Sequence, residues 1–133
     1  MDRVRFITHQ GKQILLVDYS GCTRQTLLDI LKERKRMVLA QPKGSVLMLL
    51  DSTGAQFSKE VVDEIKVVAA KERDRVKRAA VVGMEDVPKV LVDSVRNFAV
   101  RDYRPFPTRE EAMDWLVKED DGLVADEGEK KDG

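Results

Sequence analysis

Apolar runs that alternate with amphipathic segments constrain the fold of this chain more than any other feature. Residues 46–50 and 79–82 are apolar on both alternating faces, as expected of strands covered by helices on both sides. A segment with helical periodicity follows each of these runs. Because strands joined by helical crossovers run parallel, the pattern predicts an α/β fold.

The first twenty residues predict a hairpin at the start of the domain. Val4 and Phe6 alternate with polar neighbours, Gln10-Gly11 interrupts the pattern, and residues 14–17 form a solid apolar run. The first segment is typical of an edge strand and the second of a buried one. The predicted architecture is therefore a single mixed β-sheet, made of an opening hairpin and parallel strands, with about four helices.

Local signals set the limits of the four predicted helices. Pro42 follows the end of the first helix, Ser58 caps the second, and Pro88 lies in the first turn of the third. Thr108 begins a capping box for the fourth helix. The first two helices are expected over residues 23–40 and 58–73, and a short strand over 103–106. The residues expected to face the core include Leu27, Leu31, Val38, Val61, Ile65, Val68, Leu91, Val95, Phe98, Ala112 and Leu116.

Length and charge distribution predict one domain followed by a tail. A chain of 133 residues with 42% apolar residues can bury one ordinary core, which we assign to residues 1–117. Residues 118–133 contain seven acids and three lysines, a net charge of −4 that leaves +4 on the rest. Apolar periodicity stops after Val117. We therefore predict an acidic, disordered tail over residues 118–133.

The composition excludes several classes of function. Lys plus Arg equal Asp plus Glu at 24 each, so no overall positive field attracts nucleic acid. Cys22 is the single cysteine, which rules out an intrachain disulfide and a thiolate metal cluster. The first residues are charged where a signal peptide is apolar, and no stretch has the length and apolarity of a membrane span. We expect a cytoplasmic protein with no cofactor and no membrane span.

The segment Asp51-Ser52-Thr53-Gly54 is the strongest candidate for a functional site. It follows the central strand and precedes a helix, and ligand sites of open α/β sheets form at the carboxyl ends of strands. A hydroxyl group there can carry a phosphate, and Asp51 can orient a hydroxyl or repel an attached phosphate. The same residue types also occur in ordinary turns, for reasons of local hydrogen bonding.

These four residues resemble the Asp-Ser-Ser-Gly or Asp-Ser-Thr-Gly signature of STAS-domain anti-sigma-factor antagonists. The predicted element order is also similar, over about residues 3–117. The segments Phe106-Pro107-Thr108 and Trp115-Leu116 further resemble small bacterial STAS-like proteins that are grouped with the CRAL-TRIO fold. The resemblance implies a STAS-like fold and a regulatory protein–protein interaction module.

In those antagonists a partner anti-sigma-factor kinase phosphorylates the hydroxyl residue before the glycine, and only the unphosphorylated form binds the partner. The resemblance therefore implies that Thr53 is the phospho-acceptor and Ser52 a second candidate. Asp51, Gly54 and Ser58 would belong to the partner-binding surface. After Gly54 this chain has Ala55-Gln56-Phe57, where the antagonists usually carry a Leu-Gly pair.

Two other classes of function stay open. A small-molecule or lipid-binding domain would use a cleft near Gly83 and Asp51. An enzyme with an unfamiliar site would bring Asp51, Asp86 and Arg101 together in one cleft. Because the sequence contains no established catalytic, phosphate-binding or dinucleotide-binding signature, we predict a binding module and no enzyme. A homodimer is also left open.

The remaining polar residues favour structural interpretations. His9, the single histidine, is expected to be a solvated strand residue without metal. Cys22 is expected to be a small packing residue, since no histidine lies near it in the sequence. The basic clusters at 32–36 and 71–78 are interpreted as solvated helix faces.

Overall fold

The computed structural model describes residues 2–98 and 103–118, without the side chains of 94–98. This part of the chain contains five strands, four helices and one 3₁₀ turn. The strands are β1 (Val4–His9), β2 (Lys12–Asp18), β3 (Val46–Asp51), β4 (Val76–Val82) and β5 (Tyr103–Phe106). The helices are α1 (Arg24–Leu39), α2 (Lys59–Glu72), α3 (Lys89–Phe98) and α4 (Arg109–Leu116), and the 3₁₀ turn is Met84–Asp86.

The strands form one mixed sheet in the order β1-β2-β3-β4-β5. Only β1 is antiparallel, and it pairs with β2 through a two-residue turn between His9 and Lys12. Both turn residues have positive φ, 52° at Gln10 and 80° at Gly11, as a tight hairpin turn requires. The sheet confirms the predicted opening hairpin, the parallel strands and the central position of β3.

Two core layers of unequal size cover the sheet. Helices α1 and α2, together with Leu91 of α3, pack on one face against alternate residues of β2, β3 and β4. On the other face, Ala112 and Leu116 of α4 pack against Ile14, Leu49 and Ala80. Consecutive strand residues therefore point into different layers, which explains why these strands are apolar on both faces.

Arg78 and Trp115 fix the smaller layer to the sheet. Arg78 of β4 is buried and its Nη1 donates to the carbonyl oxygens of Trp115 at 2.8 Å and Lys118 at 3.0 Å. Trp115 belongs to the last turn of α4, and Lys118 follows the Val117 cap. The guanidinium groups of Arg78 and Arg104 lie over the Trp115 ring, 5.5 and 5.4 Å from its centroid. The short helix α4 is thus tied to the sheet by polar contacts as well as by packing.

The structure corrects the interpretation of both basic clusters as solvated helix faces. Arg34, within 32–36, is only 1% exposed, and Glu72, within 71–78, is equally buried. Arg34 Nη2 donates to Glu72 Oε1 at 2.8 Å and its Nη1 donates to the Tyr19 hydroxyl at 2.9 Å. Arg34 also reaches the Tyr103 hydroxyl, at 3.3 Å. Arg78 belongs to strand β4 and is buried as well, so neither cluster is uniformly solvated.

The chain spacing explains how this ion pair forms. Arg34 follows Leu31 by three residues and precedes Val38 by four, so it lies on the apolar stripe of α1. Burial alone would lower the pKa of Arg34, but Glu72 and the two tyrosine hydroxyls raise it well above its ordinary value. The guanidinium therefore stays charged in the core, where it donates hydrogen bonds to acceptors on α2, on β5 and at the end of β2.

The other differences from the predicted elements are small. Strand β4 begins three residues before the predicted run at 79–82. The third helix begins at Lys89, directly after Pro88, and a 3₁₀ turn that the sequence did not predict precedes it over Met84–Asp86. The predicted core positions Val95 and Phe98 lie outside the described side chains, and the predicted acidic tail lies outside the described residues except for Lys118. Within the described ranges, no helix is long and apolar enough to cross a membrane.

The buried ion pair leads to a first prediction. Arg34→Met leaves the Glu72 carboxylate unpaired in the core, so we expect a loss of about 3–5 kcal/mol in the free energy of unfolding. Replacing both partners, Arg34→Met with Glu72→Met, should restore most of that loss because no charge stays buried. Urea denaturation of the three proteins measures both values.

Arg36→Met supplies the matched control, because Arg36 pairs with Glu33 on the exposed side of the same helix. This variant should unfold like the parent chain. An equal effect of Arg34→Met and Arg36→Met would contradict the role given to the buried pair.

Candidate functional site

Three loops meet where strands β2, β3 and β4 end. The loop after β2 and the loop after β3 are joined by backbone hydrogen bonds, from Tyr19 N to Asp51 O at 2.8 Å and from Gly21 N to Thr53 O at 2.9 Å. The loop after β3 is joined to β4 by Ser52 N, which donates to Val82 O at 2.8 Å. Since these strands are parallel, their carboxyl ends share one edge of the sheet, and Asp51-Ser52-Thr53-Gly54 lies in the middle of it.

Asp51 is buried at the end of β3 and belongs to a chain of alternating charges. Its Oδ2 accepts from Arg109 Nε at 2.8 Å, and Arg109 Nη2 lies 3.4 Å from Asp18 Oδ1. Arg3 Nη1 approaches the same Asp18 oxygen at 3.7 Å. Arg109 is the first residue of α4, so this contact fixes the start of the smaller layer to the site.

The pKa of Asp18 lies below its ordinary value. Partial burial alone would raise the pKa, but hydrogen bonds from Ser20 and the charges of Arg109 and Arg3 lower it overall. Ser20 Oγ donates to Asp18 Oδ1 at 2.6 Å, and the Ser20 amide donates to the same oxygen at 3.0 Å. Asp18 therefore stays ionised to a lower pH than an ordinary aspartate.

Carboxylates accept from two consecutive amides of the 51–54 loop. Thr53 N donates to Asp51 Oδ1 at 3.0 Å, and Gly54 N donates to Asp86 Oδ2 at 2.8 Å. Ala55 N donates to the carbonyl oxygen of Ser52 at 3.0 Å. The amides that could receive an external anion are therefore already engaged within the chain.

The two candidate phospho-acceptors differ in exposure. Ser52 is only 3% exposed, whereas Thr53 is exposed to solvent. Its own amide and the next one donate to Asp51 and Asp86, so both carboxylates are bonded to the backbone on which this hydroxyl is carried. For a kinase that approaches from solvent, Thr53 is therefore the exposed residue of the two and Ser52 the buried one.

Gly83 packs directly against Thr53. It has φ of +79°, and a Cβ on Gly83 would lie 2.5 Å from Thr53 N and 2.8 Å from Thr53 Oγ1. The backbones therefore touch at the place where the sequence suggested a cleft near Gly83 and Asp51. The space between Gly83 and Thr53 is filled by the chain itself, which does not favour a ligand at that position.

The structure locates the other candidate residues as follows. Ser58 is the N-cap of α2 and its hydroxyl accepts from Val61 N at 3.3 Å. Cys22 is buried, and burial raises the pKa of its thiol. His9 Nε2 lies 2.7 Å from Asp114 Oδ1 of α4. Arg101 lies outside the described residues. In residues 2–98 and 103–118, no group of three His, Cys, Asp or Glu side chains has the geometry of a metal site.

The sequence indicated Asp51, Thr53 and Gly54 as candidates but gave no role to Asp18, Ser20 and Arg109, which the structure brings to the same sheet edge. A signal for Asp18 and Ser20 was present, because Asp18-Tyr19-Ser20 follows a buried parallel strand and must end at the same sheet edge. Arg109 carried no such signal, since it lies 58 residues from Asp51 and on a helix whose sheet face the sequence did not specify.

One solved structure has a similar fold. It is the crystal structure of an uncharacterised protein from the DUF3478 family with a SpoIIAA-like fold, from Shewanella loihica PV-4. The two chains superpose with a TM-score of 0.69 over 86% of this chain and 92% of that one, at 16% sequence identity. No protein-family model and no curated protein sequence matches this chain. The fold is thus SpoIIAA-like, that is, of the STAS type.

The low pKa of Asp18 predicts a specific loss of stability in acid. A carboxyl whose pKa is lower in the folded state than in the unfolded state stabilises the protein at any pH above its unfolded-state pKa, which is about 4. This stabilisation is lost as the pH falls through the folded-state pKa. Asp18→Asn should therefore lower the free energy of unfolding at neutral pH and flatten its decrease below about pH 4. Denaturant unfolding across a pH series measures this.

Asp29→Asn, on the exposed side of α1, serves as the control for this experiment and should keep the parent pH dependence. If Asp18→Asn also keeps it, the contacts from Ser20, Arg109 and Arg3 do not stabilise the ionised form.

The contact between Gly83 and Thr53 predicts an asymmetric response to alanine. Gly83→Ala forces a Cβ into the Thr53 backbone, whereas Gly11→Ala has nearly the same φ, +80°, with no neighbour within 4 Å of the added Cβ. Both variants carry the cost of a left-handed conformation, about 1–2 kcal/mol, and only Gly83→Ala adds the steric clash. Thermal unfolding should rank Gly83→Ala well below Gly11→Ala, and equal midpoints would show that the two loops are not in contact.

Proposed function

We propose that this chain is a non-catalytic regulatory module that binds a protein partner through the 51–54 loop and the first turn of α2, with phosphorylation of Thr53 as its switch. The observation that carries the proposal is the setting of Thr53. It is exposed at the centre of the shared strand edge, with Asp51 and Asp86 bonded to the amides of Thr53 and Gly54. A neutral hydroxyl is compatible with this setting.

A phosphate at Thr53 would change the charge of the surface abruptly. It adds between about −1.5 and −2 units at neutral pH, beside two carboxylates that are already present. Like charges on one loop repel, and Arg109 is already engaged by Asp51 and Asp18. A partner that accepts the surface with a free hydroxyl would therefore meet a different charge and a different loop geometry after modification.

The proposed reaction belongs to the partner, a kinase of the anti-sigma-factor type. It transfers the γ-phosphoryl group of a nucleoside triphosphate to Thr53 Oγ1. The bond between Oγ1 and phosphorus forms as the bond from phosphorus to the β-phosphate oxygen breaks. The hydroxyl proton passes to a base of the kinase, and the nucleoside diphosphate leaves. We expect the protein in the cytoplasm, where such donors are available.

The hydrogen bonding of the site supports a binding role over catalysis. Asp51 accepts from Thr53 N and Arg109, and Asp86 accepts from Gly54 N. A general acid or base needs an oxygen within reach of a substrate proton, and these carboxylates are used to hold the loop.

Intact-mass and site-mapping spectrometry tests the proposal on protein purified from its native host. We expect a phosphorylated fraction that maps to Thr53, disappears in Thr53→Ala and persists in Ser52→Ala. Thr26→Ala, at an exposed threonine on α1, is the matched control and should retain the phosphate.

Either of two results would contradict this function. One is protein that stays unmodified in all growth conditions, and the other is phosphate that remains after Thr53→Ala. Phosphate that maps to Ser52 alone would require the loop to open before modification, because Ser52 is buried.

A further inference from the structure

One side chain joins the 51–54 loop to the elements that follow β4. Asp86 is the last residue of the 3₁₀ turn, and α3 begins three residues later at Lys89. Its Oδ2 accepts from Gly54 N at 2.8 Å. Its own amide donates to Gly83 O, and Val87 N donates to Met84 O, each at 3.0 Å. A change at Gly54 N can therefore reach the 3₁₀ turn through this carboxylate.

The two carboxylates that flank Thr53 differ in how firmly they are held. Asp51 is buried and its second oxygen accepts from Arg109 Nε. Asp86 is exposed, and no basic side chain that the structure describes forms an ion pair with it. Asp86 is bonded to the loop through Gly54 N. Of the two, Asp86 is the carboxylate that a competing anion would displace.

A phosphate on Thr53 would be such a competitor. It is attached one residue before Gly54 and carries three strong acceptor oxygens. Thr53 Oγ1 already lies against Gly83, since a Cβ there would be 2.8 Å away, so the phosphate starts beside the turn that holds Asp86. Repulsion between the phosphate and Asp86 and competition for Gly54 N act in the same direction.

We infer that Asp86 is a latch that phosphorylation of Thr53 releases, so that modification of the 51–54 loop loosens the 3₁₀ turn and the first turn of α3. The latch rests on the proposed function for the origin of the phosphate. It adds a second surface, Met84–Asp86 with the start of α3, to the region that the partner distinguishes. Asp86 is thus a positioning residue that acts through the backbone of Gly54.

Amide hydrogen exchange on protein with phosphothreonine built in at position 53 tests the latch. Incorporating the modified residue during synthesis removes any need for a kinase. We expect amide exchange at Asp86, Val87, Leu91 and Val92 to rise about tenfold over the unmodified chain, as for loss of one charge-assisted hydrogen bond. Unmodified Asp86→Ala should show the same rise, and phosphothreonine should add nothing further to it.

Glu85→Ala provides the control, because Glu85 is an exposed acid in the same 3₁₀ turn and should keep the full response to phosphothreonine. Unchanged exchange over residues 84–92 in phosphorylated protein would overturn the latch. A further rise on adding phosphothreonine to Asp86→Ala, as large as the rise in the parent chain, would overturn it as well. Absence of phosphate in native protein would instead overturn the proposed switch, while this exchange experiment would still decide the role of Asp86.

Discussion

The ion pair between Arg34 and Glu72 holds together elements that share no backbone hydrogen bonds. It joins α1 to α2, and the hydroxyls of Tyr19 and Tyr103 extend it to the end of β2 and to β5. Tyr19 N in turn donates to Asp51 O at the start of the candidate site. The position of the 51–54 loop therefore depends on a charge pair in the core, as well as on the strand that precedes it.

Such a pair constrains geometry more than it adds stability. Two buried charges must face each other closely, since a displaced partner leaves an unpaired charge in an apolar medium. Apolar side chains tolerate small shifts between helices, whereas these hydrogen bonds do not. Helices α1 and α2 thus have one preferred arrangement relative to β5. The positions of the loops at the strand ends depend on that arrangement.

The fold could be predicted from the sequence because its signals are local. The solid runs in β3 and β4, the turn at Gln10-Gly11 and the cap at Ser58 each depend on residues close in the chain. The burial of Arg34 could have been noticed, because it occupies the apolar stripe between Leu31 and Val38. Its partner could not, since Glu72 lies 38 residues away and no local rule selects it.

In the candidate site, too, the local features could be predicted from the sequence and the contacts between distant residues could not. The exposed Thr53 and buried Asp51 come from the strand and its turn, and the sequence indicated both. The contacts of Asp51 with Arg109 and of Gly54 with Asp86 join residues 58 and 32 positions apart. These two contacts depend on which sheet face α4 covers and on how closely Gly83 approaches Thr53. No short stretch of sequence specifies either of these features.

The arrangement around Trp115 has a practical consequence for how unfolding is observed. It is the single tryptophan of the chain and lies on α4, under the guanidinium groups of Arg78 and Arg104. Its fluorescence therefore reports on the smaller layer, which contains α4. The circular dichroism signal is instead dominated by the longer helices α1 and α2 on the opposite face of the sheet. Comparing the two signals distinguishes detachment of α4 from unfolding of the main core. One unlabelled sample therefore gives the order in which the two sides of the sheet unfold.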